Sequence, residues 1–158
     1  MAHEILTKIG AATALTCTNL NNLANHKGMQ CTRVTDTSPS IARVRVHYSI
    51  TTTSTPTAGA LIEFYLSRSD EGSLADGSTG TTDAVWPDPA AAVTTYMKAQ
   101  LTFLHAQPVS ATAVAWVGSF DIAEPGSDWR LVVVNETAQA LHASAHSLTY
   151  QTMTPEVQ

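Results

Sequence analysis

The chain has 158 residues, enough for one domain with a sizeable core, and its apolar fraction of 44% excludes a disordered polypeptide. The net charge of -5, with no cluster of lysines and arginines, excludes nucleic acid as the main partner. Only 13% of the residues are charged, against about 25% in a typical protein. This scarcity predicts either a threonine-rich β-sheet surface or a surface that partner subunits cover.

The amino-terminal stretch MAHEILTKIGAATA does not read as a secretory signal, because Glu4 and Lys8 interrupt the part that would have to be apolar. No run of residues approaches the apolar length of a membrane-spanning helix. We therefore expect a protein that is made in a cytoplasm and has no membrane partner.

The first twelve residues predict either a short arm or a first strand. Ile5, Leu6 and Ile9 are apolar and have few apolar neighbours there, which suits an arm that adds to a neighbouring subunit. Two strands are expected next, within TALTCT and MQCTRVTD. The polar stretch between them predicts one helical turn, anchored by Leu20 and Leu23.

The two cysteines, Cys17 and Cys31, are too few for a disulfide framework or a zinc site. Both lie in strand-like segments, where a free cysteine behaves as a small apolar residue. The favoured interpretation is two free thiols, and a bridge between them is the alternative.

Alternation of apolar and polar residues predicts half-buried antiparallel strands in four further stretches. The inward residues are expected to be Ala42, Val44, Val46, Tyr48 and Ile50 in the first, Ile62, Phe64 and Leu66 in the second, Met97, Ala99, Leu101 and Phe103 in the third, and Val114, Trp116, Phe120 and Ile122 in the fourth. Gly118 interrupts the fourth stretch and predicts a bend or bulge there.

Turn-rich connectors at 51–59, 67–91 and 123–128 separate these strands, and no segment offers a convincing amphipathic helix. Strands at this spacing predict an all-β fold, an antiparallel β-sandwich of about eight strands. A single domain over residues 13–158 accounts for the pattern, preceded by the arm or first strand at 1–12.

The last part of the pattern is WRLVVVNETAQALHASAHSLTY, residues 129–150. Leu131 to Val134 are apolar on both faces, which predicts a central strand with both faces buried. Asn135 then lies at a corner, where side-chain hydrogen bonds replace the ladder bonds that stop. A second strand is expected to begin at Leu141, and a change of apolar parity predicts a bulge or tight bend at 144–146.

Residues that could carry chemistry are few, and none of the common catalytic motifs occurs. His142 and His146 are four apart, but the expected bend between them and the lack of nearby carboxylates argue against a metal pair. The acidic residues of the long connector match no calcium loop; they are Asp70, Glu71, Asp76 and Asp83. We therefore predict no catalytic residue, no cofactor and no metal.

Asn135-Glu136-Thr137 matches the glycosylation acceptor pattern, which we interpret as coincidence in a chain without a secretory signal. Trp116 and Trp129 occupy strand positions and are predicted to be core residues. Trp86 is either an exposed anchor for a partner or a sugar ring, or a plug folded over the edge of the core. The candidate interface residues are Ile5, Leu6, Ile9 and Trp86.

The order of these pieces resembles that of small virion structural proteins of tailed bacteriophages. The likeness covers residues 13–150: LTCTNLNNLANHKGMQCTRV, the strand ARVRVHYSI, the linker and strand TSTPTAGALIEFYLSRSDEG, the loop DGSTGTTDA, and WRLVVVNETAQALHASAHSLTY. Where such proteins often have glycine, this chain has Ala138 and Ala145, which leaves the turn types open.

This resemblance implies a non-enzymatic, jelly-roll-like sandwich that decorates and cements the outside of the capsid. Its partners would be the major capsid protein and further copies of itself, as a trimer. It would be made in the bacterial host cytoplasm and end on the exterior of the virion. The alternative is a tail or fibre-base module that binds host carbohydrate, through Trp86 and its loop, or other tail proteins.

Overall fold

A computed structural model describes residues 5–35, 43–68, 82–86, 93–111 and 115–157. These residues form eleven β-strands, one 3-10 turn at Thr18–Leu20 and a one-turn α-helix, α1, at Thr95–Lys98. The strands are β1 (Ile5–Ile9), β2 (Thr13–Ala14), β3 (Lys27–Gln30), β4 (Val34–Thr35), β5 (Arg43–Thr51), β6 (Leu61–Arg68), β7 (Ala84–Trp86), β8 (Thr102–Pro108), β9 (Ala115–Ala123), β10 (Asp128–Glu136) and β11 (Ser147–Val157).

The strands form two antiparallel sheets. Sheet A has the order β1, β11, β5, β9, and β2 pairs with β11 next to β1. Sheet B has the order β7, β3, β10, β6, β8, and β4 pairs with β10 next to β3. The predicted all-β antiparallel sandwich is confirmed.

The connectivity is that of a jelly roll. β1 and β2 together line one side of β11, and β3 and β4 together line one side of β10, so each pair fills one position. Counted this way, the described strands fill the eight positions of a jelly roll, with β7 added at the edge of sheet B. The predicted number of about eight strands agrees with these eight positions. The prediction did not include the break between β1 and β2, the break between β3 and β4, or strand β7.

The main core lies between the sheets, where the predicted inward residues of β5 and β6 are buried. Trp116 and Trp129 are buried as predicted, and Phe120 is partly buried. The predicted helical turn also forms, with Leu20 and Leu23 in the core. Two predicted inward residues, Ala42 and Val114, lie outside the described residues.

A second apolar cluster covers the outer face of sheet B. Tyr65, Val132 and Val134 point outward from β6 and β10 and contact Trp86 and Val93. β10 is therefore buried on both faces, as the sequence predicted for Leu131 to Val134. The covering residues come from the long connection between β6 and β8, so the chain itself supplies this extra layer.

The strand predicted within MKAQLTF is wrong over its first half. Thr95–Lys98 is helical, with Thr94 as its N-cap, and β8 begins only at Thr102. Met97 and Leu101 pack on the outer cluster of sheet B. A spacing of four residues puts two side chains on one side of a helix and also of a strand, so the alternation was ambiguous. Of the other predicted inward residues, Ala99 is exposed and Phe103 is 56% exposed.

The bulge predicted at Gly118 is also wrong, because β9 pairs with β5 in unbroken register. Gly118 lies opposite Tyr48, whose side chain crosses it toward β8. A β-carbon at this position would lie 2.6 Å from Cζ of Tyr48. The glycine therefore serves the close approach of a ring and not a bend.

The amino-terminal segment pairs with the sandwich as a strand. β1 runs antiparallel to the carboxy-terminal half of β11, with Ile9 opposite Met153. Of the two alternatives, an arm or a first strand, the described residues adopt the second. For Ile5 and Leu6 the structure describes the backbone and not the side chains, so their predicted interface role stays a prediction.

The favoured interpretation of the cysteines as free thiols is wrong. Cys17 and Cys31 form a disulfide, with their Cα atoms 4.7 Å apart. The two residues follow β2 and β3, which lie in different sheets, so their approach depends on how the sheets meet and not on local spacing.

Replacing Gly118 with alanine should destabilise the fold by about 1–3 kcal/mol, because the new methyl group must displace the Tyr48 ring from a packed core. Urea unfolding of the variant measures this loss. Ser119→Ala, an exposed change at the next position of β9, should stay within about 0.5 kcal/mol of wild type. Equal stability of the two variants would contradict the role assigned to the glycine.

Candidate functional site

Asn135 is a structural corner residue. Its side chain is fully buried, and its amide nitrogen donates to the carbonyl oxygens of Leu23 (2.8 Å) and Gln139 (2.7 Å). Its amide oxygen accepts from the backbone nitrogen (3.1 Å) and the hydroxyl (2.7 Å) of Thr137. The predicted turn forms but starts later than expected, because β10 continues to Glu136, pairs Asn135 with Lys27 and Ile62, and gives way to a bend only at Thr137. Every polar atom of the Asn135 side chain is used in building this turn.

The same contacts explain why Asn135-Glu136-Thr137 is a poor glycosylation acceptor in the folded protein. Glycan attachment requires the amide nitrogen of Asn135, which has no exposed surface and already donates twice. The match to the acceptor pattern follows from the turn, which favours Asn and Thr for their hydrogen bonds.

His142 and His146 stabilise a bend in the chain before β11. Leu141 forms only an isolated bridge with Thr52, and β11 starts at Ser147, so the strand predicted from Leu141 starts six residues later than expected. The predicted bend at 144–146 lies in this gap. Nε2 of His146 lies 2.6 Å from the carbonyl oxygen of His142, and burial lowers the pKa of His146.

A third histidine contributes to a polar bridge between the sheets. The Tyr48 hydroxyl donates to Oε1 of Gln107 (2.6 Å) and lies 3.1 Å from Nε2 of His105. The His105 ring stacks on Phe120 at 5.3 Å. Burial raises the pKa of Tyr48 and lowers that of His105, so both groups are neutral near pH 7. The bridge satisfies a buried hydroxyl.

The outer face of sheet B carries an ionic clamp, which we define as Lys98, Glu63 and Glu136. Nζ of Lys98 lies 2.6 Å from Glu63 and 2.5 Å from Glu136, and all three side chains are less than one-fifth exposed. Glu136 also contacts His26, and Glu63 accepts from the Tyr65 hydroxyl at 3.0 Å. Burial lowers the pKa of Lys98, but its hydrogen bonds to the two carboxylates outweigh this and raise it.

This clamp ties α1 to β6 and β10 and so holds the covering layer in place. The sequence analysis missed it. Its only sequence signal is that Glu63 takes an outward position on β6, and its partners come from distant segments. A cleft of about 420 Å³ borders the clamp, and Lys98 and Phe103 are among the residues that line it.

Trp86 matches the plug interpretation and not the anchor. Its indole has no exposed surface and packs over sheet B, opposite Gly28. A β-carbon at Gly28 would lie 2.8 Å from the Trp86 ring, so the glycine admits the indole. Because the Trp86 side chain has no exposed surface, it cannot fill the interface role predicted for it.

Ile9, in contrast, is 56% exposed and lies on the outer face of sheet A. Strand pairing places Ile9 beside Met153 and Arg43 on this face, and Val117 lies on it at the opposite edge. Val117 is 74% exposed. The sequence analysis missed Val117, although an apolar residue at an outward position of an alternating strand was a visible signal.

The outer face of sheet A has little charge. Outward residues of its strands are Thr7 and Ile9 on β1, Arg43, Arg45, His47, Ser49 and Thr51 on β5, Ala115, Val117, Ser119, Asp121 and Ala123 on β9, and Ser147, Thr149, Gln151 and Met153 on β11. Arg43, Arg45 and Asp121 are its charged members and form one ion-paired group.

Within this group, Nε and Nη2 of Arg45 lie 2.7 and 3.2 Å from the two carboxylate oxygens of Asp121. Hydrogen bonds from Arg45 lower the pKa of Asp121, and the same contact raises the pKa of Arg45. Asp121 offsets one of the two arginine charges, so this group keeps a net charge of +1, and the other outward residues named above carry no formal charge.

Among the described residues, no group of three or more His, Cys, Asp or Glu side chains is arranged to hold a metal ion. Three of the acidic residues considered for calcium, Asp70, Glu71 and Asp76, lie outside those residues. The fourth, Asp83, accepts hydrogen bonds from Thr18 and Asn19 through one carboxylate oxygen.

No protein-family model and no curated protein sequence matches this chain. No helix in the described segments is long and apolar enough to cross a membrane. Any proposal about the function of this protein therefore rests on its own sequence and structure.

Lys98→Met should destabilise the protein by about 2–4 kcal/mol at neutral pH, because it leaves two poorly exposed carboxylates facing each other without a cation. The loss should shrink as the pH falls to the range in which carboxylates take up protons. In the wild type, the raised pKa of Lys98 means that its contribution is present below pH 10.5, the ordinary lysine value, and is lost only above it.

Chemical denaturation from pH 4 to pH 8 (roughly the range of carboxylate and histidine titration) tests this clamp. Lys98→Arg keeps the charge and should recover most of the stability. A Lys98→Met deficit that did not change with pH would contradict an ionic origin.

Ala138→Gly should raise stability by about 0.5–1 kcal/mol, because Ala138 has a left-handed backbone with φ of 64°. The matched control is Ala145→Gly, at an exposed position whose φ is not positive. It should lower stability by about 0.5–1 kcal/mol through chain entropy alone. Melting temperatures of the two variants should therefore move in opposite directions.

Proposed function

We propose that the protein is a non-enzymatic virion structural protein of a tailed bacteriophage, a capsid decoration protein that binds the outer surface of the major capsid shell and stabilises it. The observation that carries this proposal is the contrast between the outer faces of the two sheets. Sheet B is covered by the chain's own connection, with Trp86, Val93 and α1 packed on it. The outer face of sheet A has no such layer among the described segments.

The composition of the outer face of sheet A suits a protein partner. The cores of protein interfaces are depleted in charge, because an unpaired charge loses its hydration there. Ile9 and Val117 provide exposed apolar surface at the two edges of this face, and threonines, serines and alanines make up half of the outward residues named above. The scarcity of charge in the whole chain, at 13%, is in line with a surface that neighbours cover.

The edges of sheet A support the same proposal. β9 ends the sheet on one side and β1 with β2 on the other, so each has one unpaired row of backbone groups within the described sheet. Such an edge can add a strand from a neighbour. Trimer formation, which the resemblance implies, and attachment to a shell both call for surfaces of this kind.

The alternative, a tail or fibre-base module that holds carbohydrate, depended on Trp86 as an exposed anchor. Since that indole is fully buried, it does not support a carbohydrate site. Contact with other tail proteins, the second form of the alternative, stays a prediction.

Val117→Asp should weaken attachment to capsid shells at least tenfold, because burying an unpaired carboxylate costs about 1.4 kcal/mol or more. Shells assembled without the protein are mixed with purified variants, and the bound fraction is measured by co-sedimentation. The control is Ala58→Asp, which adds the same charge to an exposed loop residue away from sheet A and should bind as the wild type does.

Both substitutions are at exposed sites, so both variants should keep the stability of the wild type within about 0.5 kcal/mol. Cryo-electron microscopy of intact particles should place the sandwich on the head with sheet A toward the shell. The proposal fails if the wild type does not bind shells, if Val117→Asp binds as well as the control, or if the density lies on the tail.

A further inference from the structure

We propose that the Cys17–Cys31 disulfide is a redox lock on the sandwich, protected from external thiols for as long as the chain is folded. The bridge joins the segment after β2, in sheet A, to the residue after β3, in sheet B. It therefore ties the two sheets together covalently. The proposal of a redox lock depends only on residues of this chain, so it can be right or wrong independently of the capsid proposal.

Contacts other than the bridge hold both cysteines in position. The backbone nitrogen of Cys31 donates to Leu131 O at 2.8 Å, and that of Thr32 donates to Thr16 O at 2.9 Å. On the other side, Asp83 accepts from the backbone nitrogens of Thr18 (2.6 Å) and Asn19 (3.2 Å). The two sulfur atoms are therefore brought together by the fold.

Asp83 acts there as a charged acceptor. Burial raises the pKa of its carboxyl group, but the hydrogen bonds from Thr18 and Asn19 outweigh burial and lower it. The turn that follows Cys17 is thus anchored to the segment leading into β7 by charge-assisted hydrogen bonds.

The two sulfurs differ in access. Cys31 has no exposed surface and belongs to the main core. Cys17 is partly exposed and lines a cleft of about 350 Å³, together with Thr16, Thr18 and His146. An external thiolate can therefore reach Cys17 and not Cys31.

This difference works against reduction. When a thiolate attacks Sγ of Cys17, a new sulfur–sulfur bond forms there, the Cys17–Cys31 bond breaks, and its electron pair leaves on Sγ of Cys31. The leaving thiolate is created in apolar surroundings, which disfavour its charge, and a poorly stabilised thiolate leaves slowly. Attack on Cys31 would release Cys17 into the cleft, but burial blocks that approach.

Formation of the lock needs a two-electron oxidant. A low-molecular-weight disulfide supplies it: the two cysteine thiols become the bridge, and the small disulfide takes up two electrons and two protons to become two thiols. Once closed, the bridge opens slowly while this part of the sandwich is folded, and opens fast only when local unfolding exposes Cys31.

The test compares reduction of the wild-type chain by excess dithiothreitol in native buffer and in denaturant, with free thiols counted by alkylation and mass spectrometry. Reduction in native buffer should be roughly 100-fold slower or more, because attack at Cys17 has to release a thiolate on the buried Cys31, and attack at Cys31 has to wait for local opening. Glutathione disulfide is the control, since its exposed bond should be reduced at similar rates in both solutions. Equally fast reduction of the protein in both would overturn the lock.

The double variant Cys17→Ser, Cys31→Ser tests the contribution of the bridge to stability. Its melting temperature should fall by roughly 6–12 °C, the expected effect of a bridge across a short loop in a domain of this size. An unchanged melting temperature would overturn the proposal. If the double variant does not fold, the reduction experiment on the wild type still decides the question.

Discussion

The burial of β10 on both faces determines how the layers of the fold are arranged. Leu131 and Val133 point into the core between the sheets, and Val132 and Val134 point the other way, under Trp86 and Val93. A strand with four consecutive apolar residues cannot leave either face in water without a large loss of hydrophobic free energy. The described part of the connection between β6 and β8, which carries Trp86 and Val93, therefore packs over sheet B, and no such layer covers the outer face of sheet A in the described segments.

The polar groups inside this framework have structural roles. Asn135 builds the corner after β10, Tyr48 links β5 to β8, and Lys98 ties the covering layer to sheet B. Each has partners that satisfy it, and each has at least one partner from a distant part of the chain. Such networks help to define the register of the strands and the order of the layers.

The capsid proposal and the redox lock rest on different parts of the molecule. The first concerns the outer face of sheet A, where Ile9 and Val117 are exposed at its two edges. The second concerns the bridge between Cys17 and Cys31, which cross-links the sheets. Without such a bridge, packing and the hydrogen bonds of Tyr48 would hold the two sheets together, so the proposed lock would add resistance to opening beyond what these contacts provide.

The fold class, the inward faces of β5 and β6, the double burial of β10 and a turn near Asn135 were all predictable from the sequence. They follow from patterns within one segment, because side chains alternate along a strand and turns use local hydrogen bonds. The three-dimensional structure was needed to establish that Thr95–Lys98 is a helix, that Gly118 makes room for Tyr48, that Trp86 is buried and that Cys17 meets Cys31. In each of these cases the deciding partner is distant in sequence, so no local pattern contains it.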